Sequence, residues 1–244
     1  MAQWFQKWFA SEDYLLVYNH RDSNDAKLLT DLILKVYQPN QNSVILDSAC
    51  GAGRHTEYFV TKGYKVIGFD LSMLLLLKAK ENLFAYKHLI TLIRADIREI
   101  CFKNRFDLIL NLFTSFGYFE TDEENFSFIK KSINFMKPGG SYIFDYFNIF
   151  YLKENLVQKS YREINGVSIT EERKIVDDRV IKEITLNKNG KVDRFTESVK
   201  LYDYKTLINI FMQSGYKLDG IYGSYDGDDF AEKDSSRLIL FMKK

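Results

Sequence analysis

The sequence predicts an α/β protein in which a mostly parallel sheet has helices on both faces and carries a small antiparallel insert. Between residues 43 and 147, short apolar segments alternate with amphipathic ones, and several apolar segments have no polar face. Strands that are apolar on both faces are typical of buried parallel sheets. Between residues 160 and 199 the breaks fall at Asn-Gly and Asp-Asp pairs, and Asn-Gly in particular is typical of hairpins.

The composition indicates an ordinary globular protein. Its 244 residues are 46% hydrophobic and 27% charged, with a formal net charge of +1, which argues against a nucleic-acid partner. Apolar runs such as Met73–Leu77 are too short for a membrane span, and the N-terminus does not resemble a signal peptide. The two cysteines form no CxxC pair, and with three histidines they argue against a metal site. We expect a cytoplasmic protein without membrane partners.

The first 40 residues predict helices. Trp4, Phe5, Trp8 and Phe9 recur at helical spacing, and a second helix begins near Asp22 or Ser23 and ends before Pro39. Five strands should follow, at Ser43–Leu46, Tyr64–Phe69, Leu89–Ile93, Phe106–Leu112 and Ser141–Phe147. Between them, the first helix is expected to begin at Arg54, after a turn at Gly51–Gly53, and to run through Val60. Further helices are expected at Leu71–Tyr86 and at Asp122–Met136, the last of which the sequence Lys-Pro-Gly-Gly should stop.

The next block predicts four antiparallel strands, at Ser160–Ile164, Val167–Val176, Val180–Leu186 and Arg194–Val199. The βα alternation then resumes with a helix at Lys205–Gln213 and strands at Tyr216–Tyr222 and Arg237–Met242. Residues 1–150 and 203–244 are therefore expected to form one domain with an N-terminal helical cap. Residues 151–202 are expected to form an antiparallel β insert, as a lid or an interface.

The segment from Val44 to Thr56 predicts a ligand-binding turn. An apolar strand leads into Asp47, then into small residues with Gly51 and Gly53, and then into a helix. Glycine lets the backbone approach a ligand closely, and the helix N-terminus offers free N–H groups. A dinucleotide site would have a third glycine where Thr56 stands, which disfavours that ligand.

Acidic residues also follow the next two strands. Asp70 closes the second strand, and Asp96 follows the third, just before Ile97. A carboxylate at Asp70 could accept both hydroxyls of a ribose, and Asp96 with its apolar neighbour could hold an adenine. One acidic residue after a strand is often only a helix cap, but three at successive strand ends favour a nucleotide-like ligand.

On these residues the chain resembles the class I S-adenosylmethionine-dependent methyltransferases. The segments similar to that family's motifs are Asp47–Gly53, Asp70, Ala95–Ile97, Asn111–Phe119 and Lys137–Gly140. The resemblance covers about residues 43–147 and implies a Rossmann-like, seven-stranded, mostly parallel sheet whose last strand is antiparallel. The insert after strand five is similar to that of glycine- and sugar-N-methylating enzymes, and the motif forms resemble a bacterial branch.

The resemblance implies S-adenosyl-L-methionine as cofactor and methyl transfer to nitrogen or oxygen of a small-molecule acceptor. The residues it implies at the cofactor are Asp47, Ala49, Gly51, Gly53, Arg54, Asp70, Leu71, Asp96, Ile97, Asn111 and Phe113. From its chemistry, Arg54 could meet the cofactor carboxylate or an acidic substrate. His55 is either a packing residue or a ligand.

Candidates for a general base are Tyr118, His20 and Tyr14, and a base is needed only if the acceptor arrives protonated. We expect Arg237 to form an ordinary ion pair beside Asp226, Asp228 and Asp229. Two alternatives stay open: an RNA or protein methyltransferase with the same cofactor, and a non-catalytic cofactor-binding subunit. The oligomeric state, a homodimer included, also stays open.

Overall fold

The computed structural model describes residues 3–18 and 23–244, and eleven strands lie within them. The strands are β1 (Val44–Ser48), β2 (Lys65–Asp70), β3 (Ile90–Arg94), β4 (Phe106–Asn111), β5 (Met136–Phe147), β6 (Lys159–Ile164), β7 (Val167–Val176), β8 (Arg179–Lys188), β9 (Lys191–Lys200), β10 (Lys217–Tyr222) and β11 (Arg237–Lys243). Seven of them form one sheet in the order β10-β11-β5-β4-β1-β2-β3. The last strand, β11, pairs antiparallel with both β10 and β5, and the other pairs in this sheet are parallel, so the predicted fold class is confirmed.

The helices that the structure describes are α1 (Trp4–Trp8), α2 (Glu12–Tyr18), α3 (Ser23–Tyr37), α4 (Arg54–Thr61), α5 (Met73–Asn82), α6 (Asp122–Ser132), α7 (Ile149–Glu154) and α8 (Tyr204–Gln213). Polar side chains cap several of them: Ser72 accepts from the Leu75 N–H, and Asp203 accepts from the Thr206 N–H. None of the helices in the described ranges has the length and hydropathy to cross a membrane.

The end of α6 differs from the sequence prediction. The helix stops at Ser132, four residues before Met136, and Met136 already pairs with Phe106 in the sheet. The next pair in this register is Leu108 with Ser141, so the Lys-Pro-Gly-Gly segment is a bulge at the start of β5. This segment therefore enters a strand and does not stop a helix.

The main sheet is buried on both faces because helices cover each of them. In the central strand β4, Leu108 and Leu110 pack in a core layer with residues of α3 and α4, while Ile109 packs in the opposite layer with residues of α6 and α8. All three side chains have no exposed surface. Burial on both faces explains why the centre of β4, from Leu108 to Leu110, is apolar.

The other four strands form an antiparallel sheet in the order β6-β7-β8-β9, which we call the small sheet. Its hairpins turn where the sequence predicts. Asn165, Asp177 and Asn189 have φ between 51° and 53°, the left-handed conformation that tight hairpin turns require. Strands β8 and β9 are longer than predicted because they stay paired up to the turn at Asn189.

The N-terminal helices pack on the small sheet in a separate core, where Trp8 and Val17 meet Ile169, Ile184 and Leu186. Polar contacts reinforce this packing. The Trp8 indole donates to Glu197 Oε1 at 2.6 Å, Arg162 donates to the Val17 carbonyl at 2.7 Å, and Lys188 pairs with Asp13 at 2.5 Å. Helices α1 and α2 are therefore attached to strands that lie more than 140 residues away in sequence.

Candidate functional site

The turn between β1 and α4 is built by left-handed residues. Ala49, Gly51 and Gly53 have φ of 55°, 56° and 82°. A Cβ on Gly53 would lie 2.7 Å from Leu83 Cδ1 and 3.2 Å from Ala79 Cβ, so glycine at this position favours the close approach of α4 to α5. A Cβ on Gly51 would meet no atom of the described residues within 4 Å, so these residues leave space open beside the turn at this position.

Asp70 connects this turn to the end of β2. Its Oδ2 accepts from the Gly51 N–H at 2.9 Å, and its Oδ1 accepts from the Ser72 N–H at 2.8 Å. The side chain is only 7% exposed. Burial raises the pKa of Asp70, while the backbone hydrogen bonds partly oppose that shift. The carboxylate is therefore fixed in position with respect to both the turn and the start of α5.

A cavity of about 70 Å³ lies next to Asp70, and we call it the first cavity. Six of the residues that the sequence predicts at the cofactor line it: Ala49, Asp70, Leu71, Asp96, Ile97 and Asn111. Phe5 and Phe9 of the N-terminal segment also line it, as does the loop from Ser115 to Phe119. The ends of β1 to β4 thus meet at one place, as expected of a parallel sheet.

Arg98 is a residue of this site that the sequence analysis missed. It binds Asp96 through both carboxylate oxygens, with Nε at 3.1 Å from Oδ1 and Nη2 at 2.7 Å from Oδ2, and its Nη1 donates to Glu124 at 2.7 Å. Its guanidinium carbon lies 4.5 Å from the Phe119 ring centroid. Although burial acts to raise it, the contacts with Arg98 hold the pKa of Asp96 below its usual value. Asp96 is therefore an oriented acceptor at the edge of the first cavity.

Two polar side chains that interact with each other, Asn111 and Tyr142, border the first cavity. The Asn111 Oδ1 and Tyr142 hydroxyl atoms are both buried, and neither has a hydrogen bond of good geometry within the described ranges. A buried polar atom is costly unless a ligand or an ordered water satisfies it. Together with the carboxylates of Asp70 and Asp96 and the apolar wall of Phe69 and Ile97, these atoms fit a ligand that is partly polar and partly planar and apolar.

Asp47 lies beneath the turn and does not line the first cavity. Its side chain is 3% exposed, and its Oδ2 accepts from Thr56 Oγ at 2.6 Å. Burial raises the pKa of Asp47 to about 7, against the lowering effect of the Thr56 hydrogen bond. The position where a dinucleotide site would have glycine therefore carries a hydroxyl that binds this carboxylic acid.

Arg54, the first residue of α4, lies against Phe113. Its guanidinium carbon is 4.1 Å from the Phe113 ring centroid. His55 approaches the same ring, with the centroids 5.8 Å apart, and its Nε2 is buried without a partner in the parts described. Burial, with the charges of Arg54 and Arg237, lowers the pKa of His55 to about 3. His55 is therefore a neutral side chain between two arginines.

A second cavity, of about 250 Å³, lies on the other side of Phe9 and Tyr118. Both residues line the two cavities, and the Tyr118 hydroxyl donates to the Thr114 carbonyl at 3.0 Å. Tyr14 lines this second cavity, whereas His20 lies outside the described residues. The small sheet supplies one wall, with Arg173, Val180, Lys182, Glu197 and Val199.

Arg237 also lines the second cavity, and its ion-pair partner is not one of the acidic residues near it in sequence. Its Nε and Nη2 donate to Oδ1 of Asp145 at 2.9 and 2.7 Å. The expectation of Asp226, Asp228 or Asp229 is wrong because the register of β5 and β11 pairs Asp145 with Ile239. Arg237, two residues from Ile239, lies on the same face of the sheet as Asp145.

Comparisons with known proteins agree with this geometry. Residues 45–140 match the family described as "Methyltransferase domain". The chain is 30% identical over 129 residues to the dTDP-3-amino-3,4,6-trideoxy-alpha-D-glucopyranose N,N-dimethyltransferase of Streptomyces venezuelae, which covers 52% of each protein. The chain spans about half the length of the first curated relatives it matches.

Two solved structures are similar over almost the whole chain. An S-adenosylmethionine-dependent methyltransferase from Clostridium acetobutylicum has a TM-score of 0.81 at 21% identity, over 95% of this chain and 97% of that one. The S-adenosylmethionine-bound amino pentose methyltransferase from Micromonospora echinaspora has a TM-score of 0.70 at 18% identity, over 96% and 98%. Residues 45–140 therefore match the methyltransferase-domain family, and the chain shares the fold of these S-adenosylmethionine-dependent methyltransferases.

Proposed function

We propose that this protein transfers a methyl group from S-adenosyl-L-methionine to nitrogen or oxygen of a small-molecule acceptor. The observation that carries the proposal is the pair of cavities that share Phe9 and Tyr118. The first is bordered by carboxylates at the ends of parallel strands, where nucleotides bind in this class of fold. The second has room and charged groups for another molecule, so two reactants would meet at Tyr118.

The residues around the first cavity fit the parts of this cofactor. Asp70 would accept the ribose hydroxyls, Asp96 and Ile97 would hold the adenine, and Asn111 and Leu71 would complete that pocket. The turn of Ala49, Gly51 and Gly53 would lie along the amino-acid part, with Asp47, Arg54 and Phe113 nearby. When bound, S-adenosyl-L-methionine supplies a methyl group that is already activated on a sulfonium. The first cavity is smaller than typical ligand sites, so we propose that Phe5 and Phe9 move when the cofactor enters.

The protein's own residues would mainly align the reactants and exclude water. Trp4, Phe9 and Tyr118 form an aromatic boundary between the cavities, with the rings of Trp4 and Tyr118 5.4 Å apart. Such rings favour a positive charge near their faces. Because the Tyr118 hydroxyl donates to the Thr114 carbonyl, its oxygen is directed to accept a hydrogen bond from the acceptor. Tyr14 is the second candidate for that contact.

The acceptor is proposed to be a small polar molecule, with nitrogen favoured as the methylated atom. The second cavity mixes aromatic side chains with the charged groups of Arg173, Lys182, Glu197 and Arg237. The relatives named above act on an amino sugar and an amino pentose, which supports an amine acceptor. A net charge of +1 and the cover of α1 over the cavities disfavour RNA or a protein as acceptor.

Thermal unfolding with added ligands tests the cofactor assignment. S-adenosylhomocysteine should raise the melting temperature by several degrees at about 100 times its Kd, since such binding adds about 2.7 kcal/mol, and NAD should not. Incubation with methyl-labelled S-adenosyl-L-methionine and a panel of amines, amino sugars and alcohols then tests transfer. Stabilisation by NAD alone would overturn the cofactor assignment. Cofactor binding without methyl transfer to any of these acceptor classes would favour a non-catalytic subunit.

A further inference from the structure

We propose that Asp145 and Arg237 are positioning residues that hold Phe113 against Arg54, and that they thereby set the affinity for the carboxylate end of the cofactor. The inference rests on the proposed cofactor. It concerns residues that do not line the first cavity, since Asp145 is fully buried and Arg237 faces only the second. Their effect on the cofactor must therefore pass through other residues.

The first step is the backbone after β4. Phe113 and Thr114 have φ of 58° and 62°, so two consecutive residues with a Cβ are in the left-handed region. This conformation is unfavourable for such residues, and it persists only where surrounding contacts determine it. Thr114 is moreover β-branched, which makes the conformation rarer still.

The second step is the set of contacts that determines this backbone. Asp145 Oδ2 accepts from the Phe113 N–H at 2.8 Å, and the Asp145 carbonyl accepts from the Thr114 N–H at 3.0 Å. Arg237 Nη2 donates to Thr114 Oγ at 3.1 Å while it also binds Asp145. Tyr225 donates to Asp145 Oδ2 at 3.1 Å. Both oxygens of the buried carboxylate are thus occupied, and Asp145 cannot turn without losing several bonds.

The third step is the contact between Phe113 and Arg54. The Arg54 guanidinium carbon lies 4.1 Å from the centroid of the Phe113 ring, and the Tyr225 ring stacks on the same ring with centroids 6.3 Å apart. Arg54 directly follows Gly53 of the turn, where the amino-acid part of the cofactor is proposed to lie. A guanidinium that rests on a fixed aromatic face loses less freedom when it binds a carboxylate. Release of Phe113 should therefore weaken that contact.

Two ligands separate this role from a general structural one. S-adenosylhomocysteine carries the amino-acid carboxylate, and 5′-methylthioadenosine has the same nucleoside and sulfur without it. Asp145→Asn replaces the carboxylate that accepts from the Phe113 N–H by an amide. We expect this change to lower the affinity for S-adenosylhomocysteine at least about tenfold in calorimetric titrations. The affinity for 5′-methylthioadenosine should change less than about twofold, because its contacts do not pass through Arg54.

A matched control is Asp107→Asn. Asp107 also accepts from a backbone N–H, that of Val44 at 2.8 Å, and pairs with a cation, Lys137 at 2.8 Å, but at the start of β4. Asp107→Asn should leave the affinities for S-adenosylhomocysteine and for 5′-methylthioadenosine unchanged. If Asp145→Asn does not fold, Tyr225→Phe removes only one bond to the carboxylate, and it should weaken S-adenosylhomocysteine about two- to threefold without affecting 5′-methylthioadenosine.

Arg54→Gln tests whether the effect of Asp145 on the ligand passes through Arg54. It should weaken S-adenosylhomocysteine selectively, and in this background Asp145→Asn should have no further effect, because the same contact is already lost. Equal weakening of both ligands by Asp145→Asn, full additivity with Arg54→Gln, or unchanged affinities would each overturn the inference. A wild-type protein that binds neither ligand would instead overturn the proposed function.

Discussion

The Asp70 carboxylate accepts a hydrogen bond from the Gly51 N–H at 2.9 Å, which joins the end of β2 to the turn that follows β1. Its other oxygen accepts from the Ser72 N–H, so the same residue also fixes the start of α5. The resemblance implies a third role for it, as acceptor of the ribose hydroxyls. Ligand affinity and local stability are therefore expected to change together when this residue is replaced.

Asp70→Ala should weaken S-adenosylhomocysteine at least about tenfold, since charge-assisted hydrogen bonds of this kind contribute about 1.5–3 kcal/mol each and one decade is about 1.4 kcal/mol. The free energy of unfolding should also fall by about 1–3 kcal/mol, because two backbone N–H groups lose their acceptor. From the sequence alone we expect the fold to survive this change, because a carboxylate at the end of a strand contributes little to the core. Asp70→Asn should lose less affinity. Titration calorimetry and urea unfolding measure the two effects, and a loss of stability with unchanged affinity would leave Asp70 only an anchor of the turn.

Gly51→Ala should abolish most ligand binding. Gly51 and Gly190 both have positive φ, 56° and 91°, and a Cβ on either would meet none of the described residues within 4 Å. The backbone strain of an alanine, about 1–2 kcal/mol, is therefore common to both variants. Only Gly51→Ala places a methyl group beside the proposed cofactor, so only it should weaken S-adenosylhomocysteine by tenfold or more. Equal affinities of the two variants would exclude a ligand at this turn.

Binding of S-adenosylhomocysteine should release protons near neutral pH. Burial raises the pKa of Asp47 to about 7, so the acid is about half protonated at pH 7 in the free protein. The ammonium group of the ligand near the turn would lower this pKa again, and about half a proton would leave. Titration calorimetry in buffers of different ionisation enthalpy measures this number. Asp47→Asn should show no such release, and wild-type binding without it would place the ammonium group elsewhere.

His55 should make the protein sensitive to acid. Its pKa is about 3 in the folded protein against an ordinary value of 6.5, so the unfolded chain binds a proton that the folded one excludes. The stability is therefore complete above pH 6.5 and falls with pH down to about 3. At pH 5 the loss is about 2 kcal/mol.

Urea unfolding at pH 8 and pH 5 measures this contribution, and the difference between wild type and variant isolates it from the carboxylic acids. His55→Leu should remove about 2 kcal/mol of the pH dependence. His88→Gln, at an exposed histidine, serves as the control and should leave the dependence unchanged. If His55→Leu keeps the full slope, His55 is protonated in the folded protein and its environment differs from the one described.

Local patterns in the sequence predicted most of the fold and six of the residues that line the first cavity. The strand ends that carry Asp70 and Asp96 were visible because buried parallel strands are apolar and stop at polar residues. The topology then brings both residues to one cavity. The Asn-Gly hairpins were visible because few residues tolerate the left-handed conformation they need.

Partners that meet only in the folded protein were not visible in this way. Arg98 lies two residues after Asp96, so that contact had a local signal, whereas its second partner, Glu124, lies on α6 and was not visible. Asp145 carried a signal that could have been used, since a carboxylate inside an apolar strand requires a cation nearby. Its partner Arg237 follows from the antiparallel register of β5 and β11, which the local pattern does not define.

The attachment of α1 and α2 to the small sheet has a consequence for the order of events during synthesis. Trp8 donates to Glu197 across 189 residues of chain. At about 5–20 residues per second, the N-terminal helices leave the ribosome roughly ten to forty seconds before this partner exists. Their apolar face stays exposed or bound to a chaperone until the hairpin of β8 and β9 emerges. The docking of α1 and α2, which covers both cavities, is therefore among the last steps of folding. A truncated chain that ends before β9 would leave the apolar face of these helices exposed.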